Sequence, residues 1–147
     1  MEAVVLIGIQ GSGKSTFYRD RFGGSHVHIN LDTLKTRHRE RLLLQKCLAS
    51  KRPFVVDNTN PTTEARRRYI EPAKAAGMRV IGYYFAIDIQ IALDRNARRQ
   101  GGACIPAKAI RATRNLMVRP SLEEGFDEIL YVQSSADGGF LVEPWNT

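Results

Sequence analysis

Val4-Val5-Leu6-Ile7-Gly8-Ile9-Gln10-Gly11-Ser12-Gly13-Lys14-Ser15-Thr16-Phe17 is the stretch on which the fold turns. Val4 to Ile9 is a continuous apolar run, the pattern of a parallel strand buried on both faces. Gly8 to Ser15 then fits the spacing G-x-x-x-x-G-K-[ST], and Lys14 to Phe22 reads as a short helix closed by Gly23-Gly24. Glycines at these positions let successive backbone N–H groups converge on phosphate oxygens, and the helix that follows adds the positive end of its dipole. Gly11, Ser12 and Gly13 form the cradle, Lys14 supplies charge to the β- and γ-phosphates, and the Ser15 hydroxyl is a ligand for Mg²⁺. Thr16 is placed for a contact to the α-phosphate. ATP and Mg²⁺ are therefore the expected cofactors, while the group that receives a phosphate stays open.

Outward from this loop the chain alternates. His26 to Asn30 reads as a short strand, Asp32 to about Ser50 as a helix, and Phe54-Val55-Val56 as a buried strand ending at Asp57. Asn60-Pro61 has the form of an N-cap and first helical proline, opening a helix toward Ala76 with Pro72 as a kink and Gly77 as its stop. Val80 to Phe85 is a strand, Ile89 to Arg99 a helix, Gln100-Gly101-Gly102 a loop, and Pro106 to Val118 a further helix. Ile129 to Val132 and Phe140 to Val142 are short strands around the turn Asp137-Gly138-Gly139. Strands alternating with helices predict an α/β P-loop NTPase: a three-layer sandwich with a mostly parallel central sheet, one domain over 1–147, and a helical lid at about 95–118.

The whole chain fits that reading. Its 147 residues suit one core, and 43% apolar with 25% charged residues is an ordinary globular balance. No apolar run approaches the roughly 18 residues of a membrane span, and the start lacks a secretory leader, so a cytoplasmic location is expected. Cys47 and Cys104 are too far apart to suggest a metal pair and read as reduced thiols. A net charge of +7, with pI near 9.8, favours an anionic partner such as nucleic acid or nucleotide.

Several residues are candidates for the receiving side. Asp32 follows a short strand, where a carboxylate could take the proton of an attacking hydroxyl, or could simply cap the helix beginning at Thr33. Asp57 ends an apolar strand in the manner of an aspartate that orients Mg²⁺, with Asn58, Thr59 and Asn60 adding hydrogen-bonding groups; the alternative is a polar turn. Arg95, Arg98 and Arg99 precede the glycine loop and could close over ATP, or form a solvated helix face. Arg66-Arg67-Arg68 reads as mostly a solvated helix surface. The three histidines form no metal spacing.

The segments Gly11-Ser12-Gly13-Lys14-Ser15-Thr16-Phe17, His28-Ile29-Asn30-Leu31-Asp32-Thr33-Leu34 and Asp57-Asn58-Thr59-Asn60-Pro61 together resemble the kinase domain of polynucleotide kinase-phosphatases. Arg95-Asn96-Ala97-Arg98-Arg99, Ile105-Pro106 and Pro120-Ser121-Leu122-Glu123-Glu124-Gly125-Phe126 extend the likeness over nearly the whole chain. The resemblance implies transfer of the γ-phosphate of ATP to a 5′-hydroxyl end of DNA or RNA. It implies Asp32 as general base, Lys14 and Ser15 on phosphate and Mg²⁺, Arg99 and the auxiliary Arg95 on ATP, and Asp57 to Asn60 along the acceptor site. Lys35 would stand where the phage pattern has an arginine, and Leu31 where members commonly have one; lysine keeps the charge without the bidentate fork. The aspartate-rich motif of the phosphatase half is absent from the sequence, so a full-length protein of this sequence would be a kinase alone. A small-molecule kinase acting on a nucleoside, sugar or antibiotic, and a nucleotide-operated binding protein, are the competing readings. The second lacks any N-K-x-D motif.

Overall fold

Residues 1–99 and 104–145 are described by a computed structural model. The central sheet has six strands in the order β2-β3-β1-β4-β5-β6: β1 Glu2–Ile7, β2 Val27–Ile29, β3 Phe54–Asp57, β4 Arg79–Phe85, β5 Glu128–Ser134 and β6 Phe140–Pro144. Neighbours from β2 to β5 pair in parallel, and β6 closes the edge antiparallel to β5. β1 lies inside the sheet between β3 and β4, which explains its uninterrupted burial from Ala3 to Ile7.

Alternate side chains feed two cores. On one face Val4, Leu6 and Val55 meet Phe17, Tyr18 and Phe22 of α1 (Lys14–Phe22). On the other, Ala3, Val5, Ile7 and Val56 meet Leu44 and Cys47 of α3 (Arg37–Ser50) and Tyr69, Ile70 and Ala73 of α4 (Thr63–Ala75). A smaller cluster, Ile9, Ala92 and Ile110, joins α5 (Ile89–Ala97) and α6 (Ala107–Leu116) to the start of the loop after β1. The α/β sandwich expected from the sequence is therefore present. No helix among the described residues is long and apolar enough to cross a membrane.

Element boundaries differ where side chains compete with periodicity. β1 begins two residues earlier than expected and stops at Ile7, because Gly8 turns its N–H to the Thr59 carbonyl (3.0 Å). The helix expected over 32–50 is two helices, a single turn α2 (Leu31–Leu34) and α3, broken at Lys35, whose φ is +76°. Asn30, not Asp32, caps α2, accepting from Thr33 N (3.1 Å), and Thr36 caps α3 through Arg39 N (3.1 Å). Likewise Thr62 rather than Asn60 caps α4. Asn60 has φ +47° and is buried, its amide donating to the Leu6 carbonyl (2.8 Å).

Arg66 corrects the sequence reading most sharply. It is fully buried, paired with Glu124 (3.0 Å), and donates to the carbonyls of Asn60, Pro61 and Val118. Only Arg67 and Arg68 of that run are exposed.

Candidate active site

The loop from Gly8 to Gly13 leaves β1 and enters α1 beyond the carboxyl ends of the strands, where ligands bind in open α/β sheets. Its turns require glycine at two points. Gly11 has φ +78°, and a Cβ there would sit 2.7 Å from the Ala92 carbonyl; Gly13 has φ +95°. Lys14 folds back over the loop, its Nζ donating to the carbonyls of Gly8 (2.9 Å) and Ile9 (2.8 Å). Burial holds its ammonium down at about 8; Arg99 pushes the same way, while Asp57 and Asp32 oppose it. The lysine is thus held over the loop with less than its usual hold on a proton.

A cleft of about 590 Å³ opens from this loop. Its donor side is lined by Gly11, Gly13, Lys14, Ser15, Thr16, Arg95 and Arg99, and its far side by Asp32, Arg37, Asp57, Asn58, Thr59, Asn60 and Arg68. Ser12 instead lines a smaller pocket of about 180 Å³ beside Arg95 and Ser134. The residues expected at the site from sequence therefore border one of these two spaces, except Lys35 and Arg98. Lys35 is exposed at the α2–α3 break and lines neither.

The register Leu6↔Asp57 between β1 and β3 sets Asp57 beside the phosphate loop. Ser15 Oγ donates to Asp57 Oδ2 (2.7 Å), and His28 Nε2 lies 2.7 Å from the same oxygen, its ring stacked on Tyr18. A hydroxyl and a carboxylate side by side suit a hard divalent cation. Among the described residues no cluster of three His, Cys, Asp or Glu side chains could hold a metal alone.

The single turn carrying Asp32 is pinned to β3 from both sides. Asn30 Nδ2 donates to the Asp57 carbonyl (2.6 Å), and Leu31 N donates to Asn58 Oδ1 (3.0 Å). Asp32 is exposed in the first turn of α2, close enough for its charge to bear on Lys14. Arg95 is already engaged, donating to the Gly11 carbonyl and to Ser134 Oγ (3.1 Å each), so it braces the loop. Arg99 borders the cleft and is exposed. The expected glycine loop Gln100-Gly101-Gly102 lies outside the described residues.

Sequence reading missed five contributors. Arg37 and Arg68 line the cleft, and Glu40 and Tyr69 stand behind Arg37 and Asn58. The i,i+3 spacing of Arg37 and Glu40 was a local signal; the contact to Tyr69, 29 residues beyond Glu40, had none. Gln10 was missed too, bracing the loop against α6 through Thr113 Oγ1 (3.0 Å).

A phosphate loop between β1 and α1, a carboxylate on the adjacent strand and an exposed acidic turn across one cleft define a P-loop kinase fold. A family model described as an AAA domain matches residues 4–120, and the chain belongs to that family. It is 28% identical over 132 residues to a bifunctional polynucleotide phosphatase/kinase of Schizosaccharomyces pombe, covering 87% of this chain and 32% of that protein. It is 30% identical over 150 residues to a putative bifunctional polynucleotide phosphatase/kinase of Acanthamoeba polyphaga mimivirus, covering 97% and 36%. The chain thus spans about a third of the length of these curated relatives. Among solved structures, a gluconokinase from Sinorhizobium meliloti superposes with a TM-score of 0.60 at 18% identity, covering 90% of this chain and 82% of the other, a likeness of fold.

Proposed function

We propose that this domain is an ATP-dependent kinase that transfers the γ-phosphate to a 5′-hydroxyl end of DNA or RNA. The observation that carries the reading is the position of Asp32, across one cleft from Lys14 and Ser15, on a turn fixed by Asn30 and Asn58. The polynucleotide relatives and the net charge of +7 support the choice of acceptor.

In this mechanism the backbone N–H groups of Gly11 to Ser15 and the Lys14 ammonium bind the phosphates. Ser15 would hold Mg²⁺ with Asp57 orienting it, and the metal's contribution is to neutralise charge on the β- and γ-phosphates. Asp32 accepts the proton of the 5′-hydroxyl as its oxygen attacks the γ-phosphorus in line; the bond to the β–γ bridging oxygen breaks and ADP leaves. Arg99 stabilises the charge on the transferring group. Asn60 forms the floor of the acceptor half rather than a donor to it, since its amide is committed to β1.

Leu31, where an arginine would strengthen polynucleotide binding, favours the small-molecule reading in its place. The two separate when labelled ATP is offered in parallel to 5′-hydroxyl DNA, 5′-hydroxyl RNA, free nucleosides and sugars. Label at the 5′ end of an oligonucleotide is expected. Label on a nucleoside or sugar, with none on any oligonucleotide, would falsify the proposal.

A further inference from the structure

Asp57 is a buried carboxylate, 2% exposed, whose two oxygens are treated differently by the protein. Its Oδ2 accepts from Ser15 Oγ (2.7 Å) and from His28 Nε2 (2.7 Å). Among the described residues its Oδ1 has no hydrogen-bond partner, and Asp57 borders the cleft. A carboxylate only accepts, so His28 carries a hydrogen on Nε2 and donates it. The phosphoryl-transfer scheme gives this histidine no part.

The sheet sets the imidazole in place. β2 and β3 run parallel, with His28 opposite Val55 and Ile29 opposite Val56. Strand alternation turns Val55 to the α1 face and Val56 to the other, so Asp57, two residues beyond Val55, shares the α1 face. His28 projects from that same face and reaches Asp57 diagonally across the pair. Helix α1 closes over both. Ser15 and Tyr18 are three residues apart and share one side of the helix. Ser15 engages Asp57, and Tyr18 stacks on the imidazole, with ring centroids 4.1 Å apart and planes 15° from parallel. Tyr18 is itself fixed, 9% exposed, its hydroxyl donating to the His26 carbonyl (2.6 Å). Packing against Tyr18 therefore fixes the plane of the ring that donates to Asp57.

Ser15 spends its hydrogen on Asp57, which leaves the lone pairs of the hydroxyl for a metal ion. Nε2, carrying a hydrogen, has no lone pair to offer one, so His28 acts through Asp57 rather than as a ligand. We infer that His28 is a positioning residue for the divalent cation at the phosphate loop: its N–H holds Asp57 in the rotamer that orients the Ser15 hydroxyl and keeps Oδ1 unengaged. This rests on the reading of Ser15 and Asp57 as the Mg²⁺ site of the kinase.

The test measures affinity for a non-hydrolysable ATP analogue by calorimetry, once with Mg²⁺ and once with EDTA, in the wild-type protein and in His28→Ala. The ratio of the two affinities isolates the cation's contribution. It is expected to fall about tenfold or more in the variant, while affinity in EDTA changes by less than about twofold. His28→Phe keeps a ring on Tyr18 and removes the donor; it replaces the alanine variant should that one fail to fold, with the same loss expected. His28→Gln returns an N–H near the position of Nε2 and is expected to recover most of the ratio. A ratio in His28→Ala within about twofold of the wild-type value, or equal losses with and without Mg²⁺, overturns the inference. So does a His28→Gln ratio no better than that of His28→Ala. With Mn²⁺ in place of Mg²⁺, imidazole nitrogen modulation in pulsed electron paramagnetic resonance that disappears in His28→Gln makes His28 a ligand and overturns it too. No Mg²⁺ dependence in the wild-type protein overturns the cation site and the inference with it. Because no transfer step is measured, a ratio that depends on His28 upholds the inference even where no oligonucleotide is phosphorylated, and the kinase reading alone then fails.

Discussion

The two halves of the cleft are built by different means. The donor half is mostly backbone: glycine turns, consecutive N–H groups and one lysine folded over them, all from eight successive residues. The acceptor half is assembled from side chains on β2, α2, β3, α3 and α4 that meet only in the folded chain. A backbone cradle is indifferent to most of its neighbours. A side-chain network instead depends on every member being satisfied, because a buried polar group left unpaired is costly. The donor half should therefore tolerate changes around it and fail at a single residue, whereas the acceptor half should degrade through residues that never touch substrate.

The largest effect is expected from Lys14→Met. It removes the lysine charge folded over the cradle, and phosphoryl transfer should fall by about 10²- to 10³-fold or more, together with nucleotide affinity. Steady-state kinetics and equilibrium nucleotide binding check both, and retained affinity with full turnover would show that the backbone suffices. Next is Arg66→Met, beneath the acceptor floor. Leaving Glu124 and three carbonyls without their donor should cost about 3–5 kcal/mol in chemical unfolding, although no residue of the donor half is touched. A loss below about 1 kcal/mol would mean the floor does not depend on this pair.

The smallest is a pH effect confined to the donor half. The free protein surrenders the Lys14 proton at about 8, and the charges of bound phosphates favour the protonated amine. Nucleotide binding should thus take up a proton above pH 8, and affinity should weaken by up to about tenfold per pH unit there. Calorimetry at pH 8.5 in buffers of different ionisation enthalpy reads this directly; zero proton uptake contradicts it. Folding runs with the opposite sign. The unfolded chain keeps this proton up to its ordinary 10.5, so the penalty for burying the ammonium is complete below pH 8 and is relieved as pH rises between the two values.

The same division governs what could be read from the sequence. The donor half was legible because its motif is contiguous and its flanking strand and helix have strong local signals. Phe54 to Asp57 and the two strands at the end were equally visible. Strand order was not, since the placement of β1 between β3 and β4 is a long-range outcome. Apolar periodicity ran through the break at Lys35, which is made by the paired caps Asn30 and Thr36 rather than by any lapse in hydrophobicity. Arg66 sits in a run that reads as mostly solvated helix surface, because the glutamate that stabilises it lies 58 residues away. Glu40 was hidden for the same reason, its partners arriving from α4 and the end of β3.

The claim on which everything else depends is that binding belongs to the donor half and proton transfer to Asp32. Asp32→Asn, measured for ATP affinity and for single-turnover transfer to a 5′-hydroxyl oligonucleotide, tests it most directly. ATP binding should persist while transfer falls by about 10²- to 10⁴-fold. Near-normal turnover in that variant would contradict the assignment and leave Asp32 as no more than a charge in the first turn of α2.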